Sequence, residues 1–172
     1  MTDTVSDLAA RLAALEDKEA IRLLKSRYLR ACDLKDVEAV RDSFDPVEVR
    51  IAYQGFPVYS RRDDFVETFR QMGCQPGVFD IHHATNWDIE LTGTDEAKGL
   101  WSLNFRTILV GQRQVTRLAV EYEDIYRRRD GRWYIAESVS KVTSLITEEV
   151  GADGAIKVLA YGEMPTPAAQ PA

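Results

Sequence analysis

The sequence predicts an α+β domain in which helices gathered in the first half cover one face of a curved antiparallel sheet gathered in the second. Three observations carry that prediction. From about Ser6 to Leu34 the chain is rich in Ala, Leu, Arg, Glu and Lys and contains neither Gly nor Pro, a helix-forming composition. Four later segments, running from the breaker "GCQPG" to about Ile146, are rich in β-branched and aromatic residues and are separated by "TGTDE", "VGQ" and "RDGR". Helices first and a strand meander last is the arrangement in which a sheet buries its apolar face against the helices. A chain of 172 residues fits one such domain, with residues 1–163 as the folded unit and the Pro/Ala-rich residues 164–172 as a disordered tail.

The elements follow in order. Leu8, Leu12 and Leu15 recur at helical spacing, and a break near Asp17 would divide this helix from a second stripe of Ile21, Leu24, Tyr28 and Ala31. Asp36 reads as the N-cap of a short helix through "VEAVRDSF", ended by Asp45-Pro46. "VEVRIAY" alternates Val47, Val49, Ile51 and Tyr53 against Glu48 and Arg50 and is the first strand; a helix from about Arg62 to Met72 follows the turn at Gly55 and Pro57. In the last hairpin Asp130-Gly131 supplies the turn.

Composition excludes several functions. The net charge of −6 repels a polyanion, so nucleic acid is not an expected partner. No apolar run reaches the roughly 20 residues that cross a bilayer, and "MTDTVSDL" lacks signal-peptide regions, so a cytoplasmic protein with no membrane partner is expected. Cys32 and Cys74 stand in no CxxC or Cys/His spacing and no Gly-rich phosphate loop occurs. Neither a metal nor a nucleotide cofactor is expected.

The only two histidines are adjacent, in "DIHHATNWDIEL". Neighbouring strand residues face opposite ways, and strict alternation groups His83 with the apolar Ile81, Trp87, Ile89 and Leu91. The next strands put Trp101, Leu103 and Phe105 on one face and Leu118, Val120 and Tyr122 on another, walls for a hydrophobic ligand. Asp33 sits where the helix macrodipole disfavours a carboxylate; it either ends the helix or is held there by a histidine whose tautomer it fixes.

The pieces "LKSRYLRACDLKDVEAVRDSF", "IHHATNWDIEL" and "AVEYEDIYRRRDGRWYIAES", in that order and spacing, resemble the SnoaL-like branch of the NTF2-like superfamily over about Leu15 to Ile146. The resemblance implies a cone-shaped α+β barrel of the NTF2-like, cystatin-like type closed by its N-terminal helices around an apolar pocket. In similar catalytic members, hexachlorocyclohexane dehydrochlorinase and the scytalone and bile-acid dehydratases, a helix Asp and a strand His form a dyad. Those positions fall on Asp33 and His82, and the "H-x3-N" pattern adds Asn86. Choosing His82 over His83 requires a bulge or bend at the start of the strand. The family's acid position falls on Tyr28, a phenol able to donate to a leaving oxygen or polarise a carbonyl. The implied substrate contacts are His83, Asn86, Val49, Trp101, Leu103, Phe105, Leu118, Val120, Tyr122 and Ser138. One departure stands out: Ser138 occupies a position where several relatives carry Arg, so either another cation such as Arg106 or Lys141 takes over, or the chemistry differs, or there is none. The implied activity is a cofactor-independent lyase for an aromatic, steroid-like or polyketide small molecule, by dehydration-type elimination or retro-aldol-type cleavage. An isomerase using the same dyad, and a non-catalytic binding protein or small subunit, are the alternatives. A homodimer or homotrimer is implied as well.

Overall fold

The computed structural model describes residues 4–163, so the tail expected at residues 164–172 lies outside the described residues. Helix α1 (Val5–Leu34) is followed by α2 (Val37–Ser43), β1 (Arg50–Tyr53), β2 (Val58–Tyr59) and α3 (Arg62–Met72). Five strands complete the chain: β3 (Val78–Leu91), β4 (Glu96–Leu109), β5 (Gln114–Arg129), β6 (Arg132–Val150) and β7 (Ile156–Gly162). The sheet order is β2-β1-β6-β5-β4-β3, with β7 also on β6. The sheet is mixed because β1 runs parallel to β6, and it stays open, with β2 and β3 at its edges.

Helix α1 is one continuous helix of 30 residues with no break at Asp17. Nothing in its composition interrupts it, and the Asp17 carboxylate is used elsewhere: it accepts from Arg128 Nη1 at 2.8 Å and from Trp133 Nε1 at 2.9 Å, tying the helix to the β5–β6 hairpin. Thr4 and Asp7 form a reciprocal capping box at its start. Leu8, Leu12 and Leu15 stay exposed, and the buried residues of the helix begin at Ile21. Asp36 caps α2 by accepting from the Ala39 N–H at 3.0 Å. The first strand is shorter than its alternation suggests. Asp45 Oδ1 accepts from the Val47 and Glu48 amides, which folds that segment into a turn and delays β1 to Arg50. At the hairpin tip both Asp130 and Gly131 have positive φ, the backbone of a type I′ turn.

The feature that decides the site is a bulge in β3. Thr85 pairs with Ser102 and Asp88 with Leu100, so Asn86 and Trp87 stand opposite Trp101 alone. Asn86 takes the left-handed conformation, φ 48°, which Asn adopts more readily than other side chains. Facing is reversed across it. Val78, Asp80 and His82 point inward before the bulge, whereas Ile89 is the buried residue after it. The reversal expected at the strand's start therefore lies four residues beyond His82. Asn86→Gly should leave stability within about 0.5 kcal/mol, whereas Asn86→Val should cost about 1–2 kcal/mol, because a β-branched residue is forced to positive φ. Urea unfolding of both variants measures this; equal stability would mean that the bulge is not held by residue 86.

Candidate active site

Helix α1 delivers one half of the site. Lys25, Tyr28 and Cys32 follow at three- and four-residue steps and share its buried face. The helix stops at Lys35, whose left-handed φ of 60° turns its amide back to the Ala31 and Cys32 carbonyls. That turn brings Asp33 and Lys35 against β3, where the inward residues Asp80 and His82 wait two positions apart. Lys35 pairs with Asp80 through its ammonium. Asp33 Oδ1 lies 2.6 Å from His82 Nδ1, and Asp33 Oδ2 accepts from the His82 backbone N–H at 3.3 Å. A carboxylate only accepts, so Nδ1 carries the proton and Nε2 the lone pair. The two side chains are 27% and 15% exposed, sheltered from bulk water but not sealed. These donors hold Asp33 at a helix end that would otherwise repel it.

His82 lies on the wall of a cavity of about 380 Å³. Leu103 and Phe105 of β4, Leu118, Val120 and Tyr122 of β5, and Phe65, Phe69 and Met72 of α3 make it mostly apolar. The Phe105 ring centroid is 4.6 Å from that of His82. Tyr28, Cys32 and Tyr53 complete the wall. Burial pushes the Cys32 thiol up to about 12, so it stays protonated and serves as wall. An apolar chamber with a few convergent polar groups suits a small, largely apolar ligand with oxygen functions.

Behind that wall is a second polar cluster. Lys25 Nζ donates to Asp124 Oδ2 at 2.6 Å, and neither side chain has any solvent exposure. Asp124 also accepts from Tyr126 OH at 2.7 Å and from Ser138 Oγ at 2.7 Å. Ser138 Oγ in turn accepts from Tyr53 OH at 3.1 Å, and the Tyr53 and Tyr28 hydroxyls are 3.0 Å apart. Lys25 Nζ sits 4.0 Å from the Tyr122 ring centroid, so the aromatic face adds to its pairing. Among the described residues no buried side-chain nitrogen or oxygen lacks a partner, the condition under which such a cluster is stable.

Burial raises the phenols of Tyr28, Tyr53, Tyr122 and Tyr126 above the ordinary range. A folded-state value above the unfolded one means that the folded chain holds the proton more tightly. That stability is complete below about pH 10 and is lost as pH rises toward the folded values. Four of the seven tyrosines should then ionise together with alkaline unfolding, seen as tyrosinate absorbance rising in step with loss of circular dichroism. Their smooth titration in a chain that stays folded would contradict this burial.

The SnoaL-like domain family matches residues 13–139, which include most of α1, the β1 strand, the histidine strand and the turn of the β5–β6 hairpin. The chain belongs to the SnoaL-like domain family. Solved structures agree in fold. A hexachlorocyclohexane dehydrochlorinase of type 2 superposes with a TM-score of 0.71 at 20% identity, covering 91% of this chain and 98% of its own. A protein provisionally named a scytalone dehydratase, from Novosphingobium aromaticivorans, gives 0.71 at 18% identity over 91% and 97%. An NTF2-like protein with a cystatin-like fold from the same organism gives 0.68 at 21% identity over 90% and 96%.

In this SnoaL-like domain the structure brings Asp33, His82 and Tyr28 to one cavity region and places Leu103, Phe105, Leu118, Val120 and Tyr122 on its wall. Five expected contacts lie elsewhere. His83 faces outward and is exposed, because the bulge gives the inward side to His82. Asn86 is exposed in the bulge itself, where its backbone conformation is what matters. Val49 is buried in the core ahead of β1, and Trp101 lies deeper than the cavity, donating from Nε1 to Tyr126 OH at 3.0 Å. Ser138 is fully buried behind Tyr53. Arg106 and Lys141 are exposed, so neither replaces the family arginine.

The SnoaL-like domain instead keeps its buried cation on α1, at Lys25. That residue was legible in principle, standing four after Ile21 and three before Tyr28 inside the apolar stripe. Asp124 gave the same signal, in phase with Val120, Tyr122 and Tyr126. Tyr53, alternating with Ile51, completes the set. Among the described residues no group of three or more His, Cys, Asp or Glu could hold a metal, and no helix is long and apolar enough to cross a membrane.

Proposed function

We propose that this SnoaL-like domain is a cofactor-independent lyase acting on a hydrophobic small molecule with oxygen functions, of aromatic, steroid-like or polyketide type. The observation that carries the reading is the 2.6 Å contact between Asp33 and His82 Nδ1 on the wall of an apolar cavity. A pocket built only to bind apolar matter gains nothing from a sheltered carboxylate–imidazole pair. With Nδ1 committed to Asp33, Nε2 is the nitrogen left to a ligand. In an elimination Nε2 takes the proton from the carbon beside the leaving group. Asp33 balances the imidazolium, which returns that proton to the departing hydroxyl oxygen. The C–H and C–O bonds break, a C=C bond forms and water leaves, with His82 neutral again. In retro-aldol-type cleavage the same nitrogen takes a hydroxyl proton, a C=O bond forms as the adjacent C–C bond breaks, and the imidazolium gives the proton to the released enolate carbon, leaving His82 neutral. An isomerase would return the proton to a different carbon.

Names among the structural relatives, a dehydrochlorinase and a scytalone dehydratase, agree with elimination chemistry. The test is incubation with a panel of hydroxylated aromatic, steroid-like and polyketide compounds in the presence of EDTA, read by mass spectrometry. Loss of water or cleavage of a C–C bond, abolished in His82→Ala, supports the reading. Isomerised product of unchanged mass selects the isomerase. Activity that EDTA abolishes and one divalent ion restores rejects a cofactor-independent enzyme.

A further inference from the structure

We infer that the tyrosine end of the cavity binds a hydroxyl group of the ligand as hydrogen-bond donor, with the Tyr28 oxygen as its acceptor. This names a feature of the ligand for the cavity of the proposed lyase, and it rests on that reading only in taking the ligand to be apolar and oxygenated.

Each hydroxyl between the buried ion pair and the cavity has a single proton to give. Asp124, paired with Lys25, can only accept. Ser138 has one hydroxyl proton and donates it to Asp124 at 2.7 Å. Its oxygen can therefore meet Tyr53 only as acceptor, so the one Tyr53 proton is spent at 3.1 Å on Ser138. In the 3.0 Å contact between Tyr28 and Tyr53, Tyr28 must then be the donor. The direction of each bond is set by the charge at the end of the chain. Tyr28, one of the cavity-lining residues, has no proton left for a ligand and keeps lone-pair capacity on its oxygen. The neighbouring Cys32 thiol, kept protonated by burial, is a weak donor that takes up at most one of those positions. A ligand carbonyl or ether would bring a second acceptor to an acceptor. To receive it, Tyr28 would have to give up its bond to Tyr53 and leave two phenol oxygens in contact without a proton between them.

An oxygen held at Tyr28 cannot be protonated from there, so it is retained in the product, and a departing hydroxyl is the one that sits beside His82 Nε2.

The test needs no turnover. Dissociation constants are measured by fluorescence for naphthol, its methyl ether and the corresponding methyl ketone, each corrected for water–octanol partition. The wild type should bind naphthol about tenfold more tightly than either acceptor-only probe, the worth of roughly one net hydrogen bond. Tyr28→Phe should level the three to within about twofold on the same reasoning. Ser138→Ala frees the Tyr53 proton to point back at Tyr28, so the ketone should gain about three- to tenfold relative to naphthol. Should Tyr28→Phe fail to fold, the wild-type ranking and Ser138→Ala decide. A ketone bound as tightly as naphthol by the wild type, a naphthol preference that survives Tyr28→Phe, or no binding of any probe overturns the inference. A protein that ranks the probes as stated but turns over no substrate keeps this inference and loses the lyase; turnover with the opposite ranking does the reverse.

Discussion

If the proposed lyase is right, His82→Ala should lower turnover by roughly 10² to 10⁴, the usual worth of a positioned general base, while His83→Ala should stay within about threefold of the wild type. The contrast follows from one side chain facing the cavity and its neighbour facing solvent. Asp33→Asn should resemble His82→Ala rather than a mild binding variant. The amide can still occupy the position, but it offers the ring a donor as well as an acceptor and cannot balance the imidazolium. The double variant should be little worse than either single one, since the two residues act as a unit. Rates are read with a substrate from the panel above, and circular dichroism confirms that each variant is folded. Full activity in His82→Ala, or equal losses in the two histidine variants, would take the base away from His82.

The second large effect is on stability. Lys25→Met should cost about 3–5 kcal/mol, because it strands the Asp124 carboxylate in a site with no solvent exposure. The exposed Arg50–Glu137 pair, 2.6 Å apart and with side chains 51% and 32% accessible, should contribute no more than about 1 kcal/mol. Lys25→Met combined with Asp124→Asn removes the stranded charge and keeps an acceptor for Ser138. It should recover about 1–3 kcal/mol of the loss, the usual coupling between residues of one network. Urea denaturation midpoints measure all three. A Lys25→Met protein as stable as the wild type would mean that the pair is not buried as described.

Much of this architecture was legible in the residues, and what was not has a physical cause. The run without Gly or Pro before Leu34, the Asp36 cap, the helix from Arg62 to Met72 and the Asp130-Gly131 turn are local signals, and each appears where local chemistry puts it. Which histidine faces inward was not decidable by alternation, because alternation carries no information across a bulge. The Asn at residue 86 was the only hint of one. The parallel docking of β1 on β6 joins residues 87 apart, Arg50 with Glu137, and nothing local announces it. Lys25 and Asp124 are hard to read from the sequence because isolated charges ordinarily face solvent. Only their phase within apolar stripes marks them as partners.

That partnership also has a place in time. Lys25 and Asp124 are 99 residues apart, so at ordinary elongation rates of about 5–20 residues per second the lysine is joined to the chain roughly 5–20 s before its carboxylate exists. During that interval α1 must keep an apolar stripe in water. A positive charge in the middle of the stripe makes the unfinished helix a poor surface for indiscriminate association. Once β5 is synthesised, the same charge becomes a condition for docking: the helix that carries Tyr28 and Asp33 can be buried only on the strand that presents Asp124.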